Sequence, residues 1–353
     1  MEATFRLFPW DIEGDPDAAA RLRADGVERV ALAAVYHGAR LVTPRHPTHR
    51  IVELPASASY LRDPAPLPGG GFSFEVAREA LDRAGLRVDT WAVIGHLDGA
   101  VADEVPRVVN AYGDRLSHAP CLSQAPTREL FGALVRAAAR AASGGTLHLE
   151  ALGWQGLGHG SLHDKLHGAD LDPATSDLLA TCVCAACAAR VGVDPRDLAA
   201  AVREAIDGLA SGEPGSDASG PELLAAVAAA RRSVAGEVVD DVLAIAIESG
   251  AAAVSVDADL LRDVSSSGRH GARGGGVERL VDCWGDVERG VAALQRAGGG
   301  TAYVDVLAGE PAGFEAHWSR LAAAGADRVH VYHAGLASTR RLRAAVAAAA
   351  SLR

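Results

Sequence analysis

Between Glu150 and Cys187 the chain concentrates groups that can do chemistry. The run Glu150-Ala-Leu-Gly-Trp154-Gln-Gly-Leu-Gly-His159-Gly-Ser-Leu-His163-Asp-Lys165-Leu-His167 leads shortly to Cys182-Val-Cys184-Ala-Ala-Cys187. Glu150 closes the stretch Thr146-Leu-His-Leu-Glu, where strand alternation puts His148 and Glu150 on one face. Burial at the end of an inward-facing strand raises a glutamate's proton affinity, as a general acid requires. A second carboxylate facing it would complete the pair that cleaves glycosidic bonds. Asp305 is the favoured partner and Asp257 the next, with Glu310 further into its loop. The competing reading makes Glu150 a buried ion-pair partner of Lys165 or Arg40.

His159, His163 and His167 recur every four residues, a spacing that on a helix would place them on one face and could hold a metal. Gly158, Gly160 and Gly168 work against a regular helix there, and the glutamate of the zinc-peptidase pattern is absent. A substrate-binding loop is the preferred reading, with Lys165 available for an acidic substrate group. Cys182, Cys184 and Cys187 can converge on Zn²⁺ as thiolates, with Cys121 as the fourth ligand. An iron–sulfur site is disfavoured by the spacing. The plainer alternative is small buried cysteines in an alanine-rich helix.

The elements that must position these groups alternate along the chain. Apolar runs near residues 5, 32, 91, 148, 255, 280, 304 and 330 read as strands, and Arg29 to Tyr36 (RVALAAVY) suits a strand buried on both faces. Helical spacing follows at Asp17 to Asp25, Phe74 to Ala84, Arg128 to Ala142, Val287 to Ala297, Phe314 to Ala323 and Thr339 to Ala350. Residues 43 to 70 read as a long loop, Ser176 to Val191 as one cysteine-bearing helix, and Pro221 to Ser249 as a long helix with a break near Gly236. Eight strands mostly separated by helices predict a single (β/α)₈ barrel, with residues 151 to 250 inserted after the fourth strand to cap the catalytic face. An open doubly wound sheet is disfavoured because no G-x-G-x-x-G follows a strand.

A barrel gathers its site at the C-terminal strand ends. Read in turn, those ends carry Trp10 and Asp11; Tyr36, His37 and Arg40; His96 and Asp98; Glu150 and Trp154; Asp257; Asp282 and Trp284; Asp305; and Tyr332 with His333. Carboxylates beside aromatic platforms suit a sugar, whose ring face stacks while its hydroxyls are hydrogen-bonded.

Composition narrows the classes. The 353 residues, 49% hydrophobic, suffice for a large core. A formal charge of −11 argues against nucleic acid or an anionic membrane surface as partner. No apolar run approaches the roughly 20 residues of a membrane span, and the N-terminus has no secretion-signal pattern. Five cysteines, three of them clustered, do not form a disulfide framework, so a reducing cytoplasm is expected.

The chain resembles uncharacterised alanine-rich proteins related to glycoside hydrolases of the TIM-barrel superfamily. The resemblance rests on Ala34-Val-Tyr36-His37-Gly-Ala-Arg40 with Pro44 and Pro47, on Val109-Asn-Ala-Tyr-Gly113-Asp114, on Leu149-Glu150-Ala-Leu-Gly-Trp154 with Gly158-His159 and His163-Asp-Lys165, and on the clustered cysteines. The segment Cys121-Leu-Ser-Gln-Ala-Pro126-Thr-Arg128 is similar to a Cys-Pro-x-Asn-Pro-x-x-Arg pattern of related barrels, with the Asn replaced and the first Pro absent. Glu150 also lacks the preceding Asn of the large retaining-glycosidase clan. The resemblance implies the fold more firmly than an activity.

These readings converge on a glycoside-hydrolase-like enzyme acting on a sugar or glycosylated small molecule, with Glu150 as general acid/base and Asp305 or Asp257 opposite. Tyr36, Trp154, Trp284 and Tyr332 would form the walls. The alternatives are a metal-dependent lyase, isomerase or hydrolase using the His159/His163 loop, and a non-catalytic carbohydrate-binding barrel. No organic cofactor is expected. The sequence sets no oligomeric state.

Overall fold

The computed structural model describes residues 1–63, 66–99, 105–157, 171–211, 219–259 and 276–352. In chain order its strands are β1 (Glu2–Leu7), β2 (Arg29–Tyr36), β3 (Ala39–Val42), β4 (Ile51–Leu54), β5 (Ala58–Ser59), β6 (Arg87–Val93), β7 (Arg107–Val109), β8 (Arg115–Pro120), β9 (Thr146–Glu150), β10 (Ala253–Asp257), β11 (Gly276–Asp282), β12 (Gly300–Asp305) and β13 (Ala326–Tyr332). Eight of them, β1, β2, β6, β9, β10, β11, β12 and β13, pair in parallel in sequence order, and β1 bonds both β2 and β13, so the sheet closes on itself. These are the eight strands expected from the apolar runs.

Closure follows from the residue pattern. After Arg29, β2 is apolar and buried from Val30 to Tyr36, one face against the helical shell and the other inside the barrel. Small residues on its inner face make room for large neighbours. Ala31 lies across from Arg6 and Ala33 across from Trp91. Helices with clear capping signals alternate with the strands. Phe74–Arg83 begins at Ser73, which accepts the Val76 N–H, and Val287–Ala297 begins at Asp286 and ends at left-handed Gly298.

Several expectations need correction. Residues 43 to 70 are not plain loop, because β3 and β4 form an antiparallel hairpin and β5 adds antiparallel to the end of β2. The connection after β6 likewise holds the hairpin β7–β8. The cysteine segment is two short helices, Pro173–Leu179 and Ala185–Val191, with Cys182 and Cys184 in the link. The long helix Ser219–Glu248 runs unbroken through Gly236. It serves two layers: Val227 packs with Leu198, Val202 and Ile206 of helix Pro195–Ser211, whereas Val234 to Ala246 pack with Leu134, Val135 and Leu147 in the barrel's outer shell. Among the described residues no helix is long and apolar enough to cross a membrane.

Candidate active site

At the C-terminal ends of the barrel strands lies a cavity of about 570 Å³. Its walls include Tyr36 at the end of β2 and His37 after it, Glu150 at the end of β9, Asp257 at the end of β10 and Asp259 after it, Asp282 at the end of β11 and Trp284 after it, Tyr303 on β12 and Tyr332 on β13. Alternation decides who reaches it. On β9, Leu147 and Leu149 face the helices, while His148 and Glu150 face the barrel interior. The β9–β10 register sets Ser255 across from His148. Carried two residues further, it sets Asp257 across from Glu150.

Glu150 is held from below. Arg6 Nη2 lies 2.7 Å from Glu150 Oε1, with the arginine side chain fully buried and the glutamate 23% exposed. The guanidinium is seated between aromatic faces, 4.5 Å from the Trp91 ring centre and 5.1 Å from that of Tyr303. Burial, with the nearby Glu150 charge, keeps the Tyr303 phenol well above its usual value. Tyr36 and Tyr332 meet at 3.2 Å between hydroxyls, and burial raises both. The ion-pair partner of Glu150 is therefore Arg6. Lys165 lies outside the described residues, and Arg40, largely exposed on the β3–β4 hairpin, pairs with Glu53 instead.

Of the other anticipated site residues, Tyr36, His37, Asp257, Trp284 and Tyr332 line the cavity with Glu150. Asp305 does not. Its oxygens accept the backbone N–H groups of Leu307 (2.7 Å) and Ala308 (3.2 Å), capping the turn after β12. Trp154 turns away to donate to Arg231 O at 3.0 Å, packed against the long helix and the cysteines. His333 is buried, its ring stacked on Phe8 at 4.1 Å, and burial holds it well below its usual value. Asp11 is buried beside it and pushed up to about 7 by the same desolvation. His96 is buried behind His37, the rings stacked at 4.0 Å, with Asp98 Oδ2 3.4 Å from its Nε2. His159, His163 and Lys165 fall outside the described residues.

Arg6 and Tyr303 were missed, although the signals exist. Arg6 interrupts an apolar strand, and Tyr303 shares the inward parity of Asp305 on β12. Cys121, Cys182, Cys184 and Cys187 do come together, their sulfur atoms within 4.8 Å of one another. Cys121 alone comes from the far side, just after β8.

No family model matches the chain, and no curated protein matches it. Solved structures do. The PgaB (BpsB) glycoside hydrolase domain from Bordetella bronchiseptica superposes with a TM-score of 0.55 at 13% identity over 95% of each chain. The catalytic domain of beta-amylase from Paenibacillus polymyxa gives 0.52 at 11% identity, covering 97% of this chain and 94% of that one. Alpha-L-fucosidase isoenzyme 2 from Paenibacillus thiaminolyticus gives 0.59 at 14% identity over all of this chain, which spans about half (49%) of the fucosidase. The fold is a TIM barrel. In that architecture the C-terminal strand ends are where active sites lie, which is where Glu150 and its cavity stand.

Proposed function

We propose that this TIM barrel is a glycoside-hydrolase-like enzyme acting on a sugar or glycosylated small molecule. The observation carrying this is Glu150, set at the strand-end cavity among Tyr36, Trp284, Tyr303 and Tyr332 with Asp257 and Asp282 on the same wall. The aromatic rings suit the apolar face of a sugar, and the carboxylates suit its hydroxyls and the scissile oxygen. The buried Arg6 guanidinium, 2.7 Å from Glu150 Oε1, is an ion-pair partner that suits a carboxylate acting as nucleophile or base. We therefore assign Glu150 as nucleophile or water-activating base and Asp257, across from it, as its acid partner.

The test uses chromogenic aryl glycosides and labelled oligosaccharides with the purified full chain. The wild type is expected to turn over at least one of them. Glu150→Gln should lose about 10²-fold or more in kcat, a larger loss than the fall in stability from leaving the buried Arg6 guanidinium without its partner accounts for. Binding without turnover in the wild type would instead identify a carbohydrate-binding barrel.

A second reading has its own observation. The ligand atoms of His37, His96 and Asp98 lie within 4.8 Å of one another beside the cavity, a grouping able to hold a metal ion. Asp98→Asn should leave activity within a few fold in the first reading and abolish it, together with metal binding, in the second.

A further inference from the structure

We propose that Cys121, Cys182, Cys184 and Cys187 form a tetrathiolate zinc site that fastens the helices following β9 to the hairpin following β6. The argument is geometric. Zinc–thiolate bonds of about 2.3 Å at tetrahedral angles put neighbouring sulfurs about 3.8 Å apart. From Cys121 Sγ the other three sulfurs lie at 3.5 Å (Cys187), 3.7 Å (Cys182) and 3.8 Å (Cys184). None of the five cysteines is in a disulfide.

Convergence of this kind is not a by-product of a cysteine-rich helix. Cys121 follows β8, Cys182 and Cys184 occupy the link between two helices, and Cys187 lies in the first turn of Ala185–Val191. Donors surround the sulfurs as they do around metal-bound thiolates. The Val109 N–H points to Cys182 Sγ at 3.5 Å and Gln124 Nε2 to Cys184 Sγ at 3.4 Å. Ser123 Oγ stands 3.3 Å from Cys187 Sγ. The buried apolar residues at this corner besides the cysteines are Val108 and Ala119. Ala111 of the hairpin also packs with Val183 and Ala188 of the helical segment, and a metal closing loops of 61 to 66 residues would add to that burial. Trp154 packs on the same cluster, which links the site to the segment just after Glu150.

The test measures zinc in the full-length chain purified without metal-affinity steps. About one zinc per chain is expected, as in other four-thiolate structural sites. Titration with a mercurial should release that zinc in step with the loss of the four thiolates, and cobalt substitution should give the intense visible absorption of a tetrahedral thiolate. Cys184→Ser and Cys187→Ser should each lower zinc content severalfold and the melting temperature by several degrees, whereas Cys283→Ala, outside the cluster, should leave zinc content unchanged. Wild-type protein lacking zinc and titrating as five free thiols would overturn the proposal. So would iron in place of zinc, or zinc that survives both serine substitutions.

Discussion

Arg6 and Glu150 illustrate how a buried cation and a carboxylate depend on each other. The arginine has no exposed surface, and its guanidinium lies against Trp91, Tyr303 and the Glu150 carboxylate. Removing one member of such a pair strands the other's charge, which costs more than the pair contributes. Arg6→Met is therefore expected to lower stability by about 3 kcal/mol in urea denaturation. Arg6→Met combined with Glu150→Gln should be less costly than Arg6→Met alone. An equal or larger loss in the double variant would show that the two side chains are not energetically coupled. The carboxylate was legible from the sequence, because it ends a strand of clear inward parity. Its partner was not, because position 6 lies 144 residues away by the numbering and only barrel closure through β1 brings the two strands' interiors together.

At the scale of elements, the turn after β6 and the turn after β9 are locked together. Ile94 N–H donates to Glu150 O at 3.0 Å, and a Cβ added at Gly95 would fall 2.0 Å from Ala151 O and 2.9 Å from the Phe131 ring. Ala151 itself takes a left-handed backbone, φ 61°, immediately after Glu150. Gly95→Ala must push the Ala151 carbonyl aside and with it the Glu150 backbone. The expected result is a loss of about 1–3 kcal/mol, typical of overpacking, with a fall in kcat larger than the fall in stability explains. Thermal melts and kinetics on the same preparation check both. The hairpins β3–β4 and β7–β8 were hidden at this scale, since proline and glycine mark turns without revealing what pairs across them. The single helix expected over Ser176 to Val191 failed for a related reason. Its alanines favour helix, but bringing Cys182 and Cys184 toward Cys121 requires an extended link.

Over the whole molecule, the barrel interior is polar toward the N-terminal ends of its strands. Arg29 bonds Asp89 at 2.6 Å and Glu2 at 3.2 Å, His148 Nε2 lies 3.4 Å from Asp89, and Glu278 lies 3.7 Å from His330 and accepts from Thr301 at 2.7 Å. Burial alone would raise Asp89, but the bonds from His148 and Arg29 outweigh it and hold the carboxyl at about 2, below its usual 3.8. A depressed folded value means that the ionised form is favoured in the native state. The resulting stability is present above pH 3.8 and is lost as pH falls toward 2. The contribution is about 2 kcal/mol by proton linkage. Asp89→Asn should flatten the acid limb of stability against pH in chemical denaturation. An unchanged acid limb would mean that other carboxylates control it.

The residue pattern by itself determined the eight strands, their order, the helices with caps, and the acidic group that ends β9, because apolar periodicity and end signals are local properties of the chain. It also carried the meeting of Cys121 with the three later cysteines. Which strand-end residues share the cavity was settled only in three dimensions. Asp257 and Asp305 look equivalent as strand-terminal aspartates and each accepts an N–H of the turn that follows it, yet the first lines the cavity and the second does not. Trp154 and Trp284 look like paired walls, yet one turns toward the long helix and the other toward the cavity. Such choices depend on how loops fold back over the strand ends, and that is fixed by contacts between distant segments.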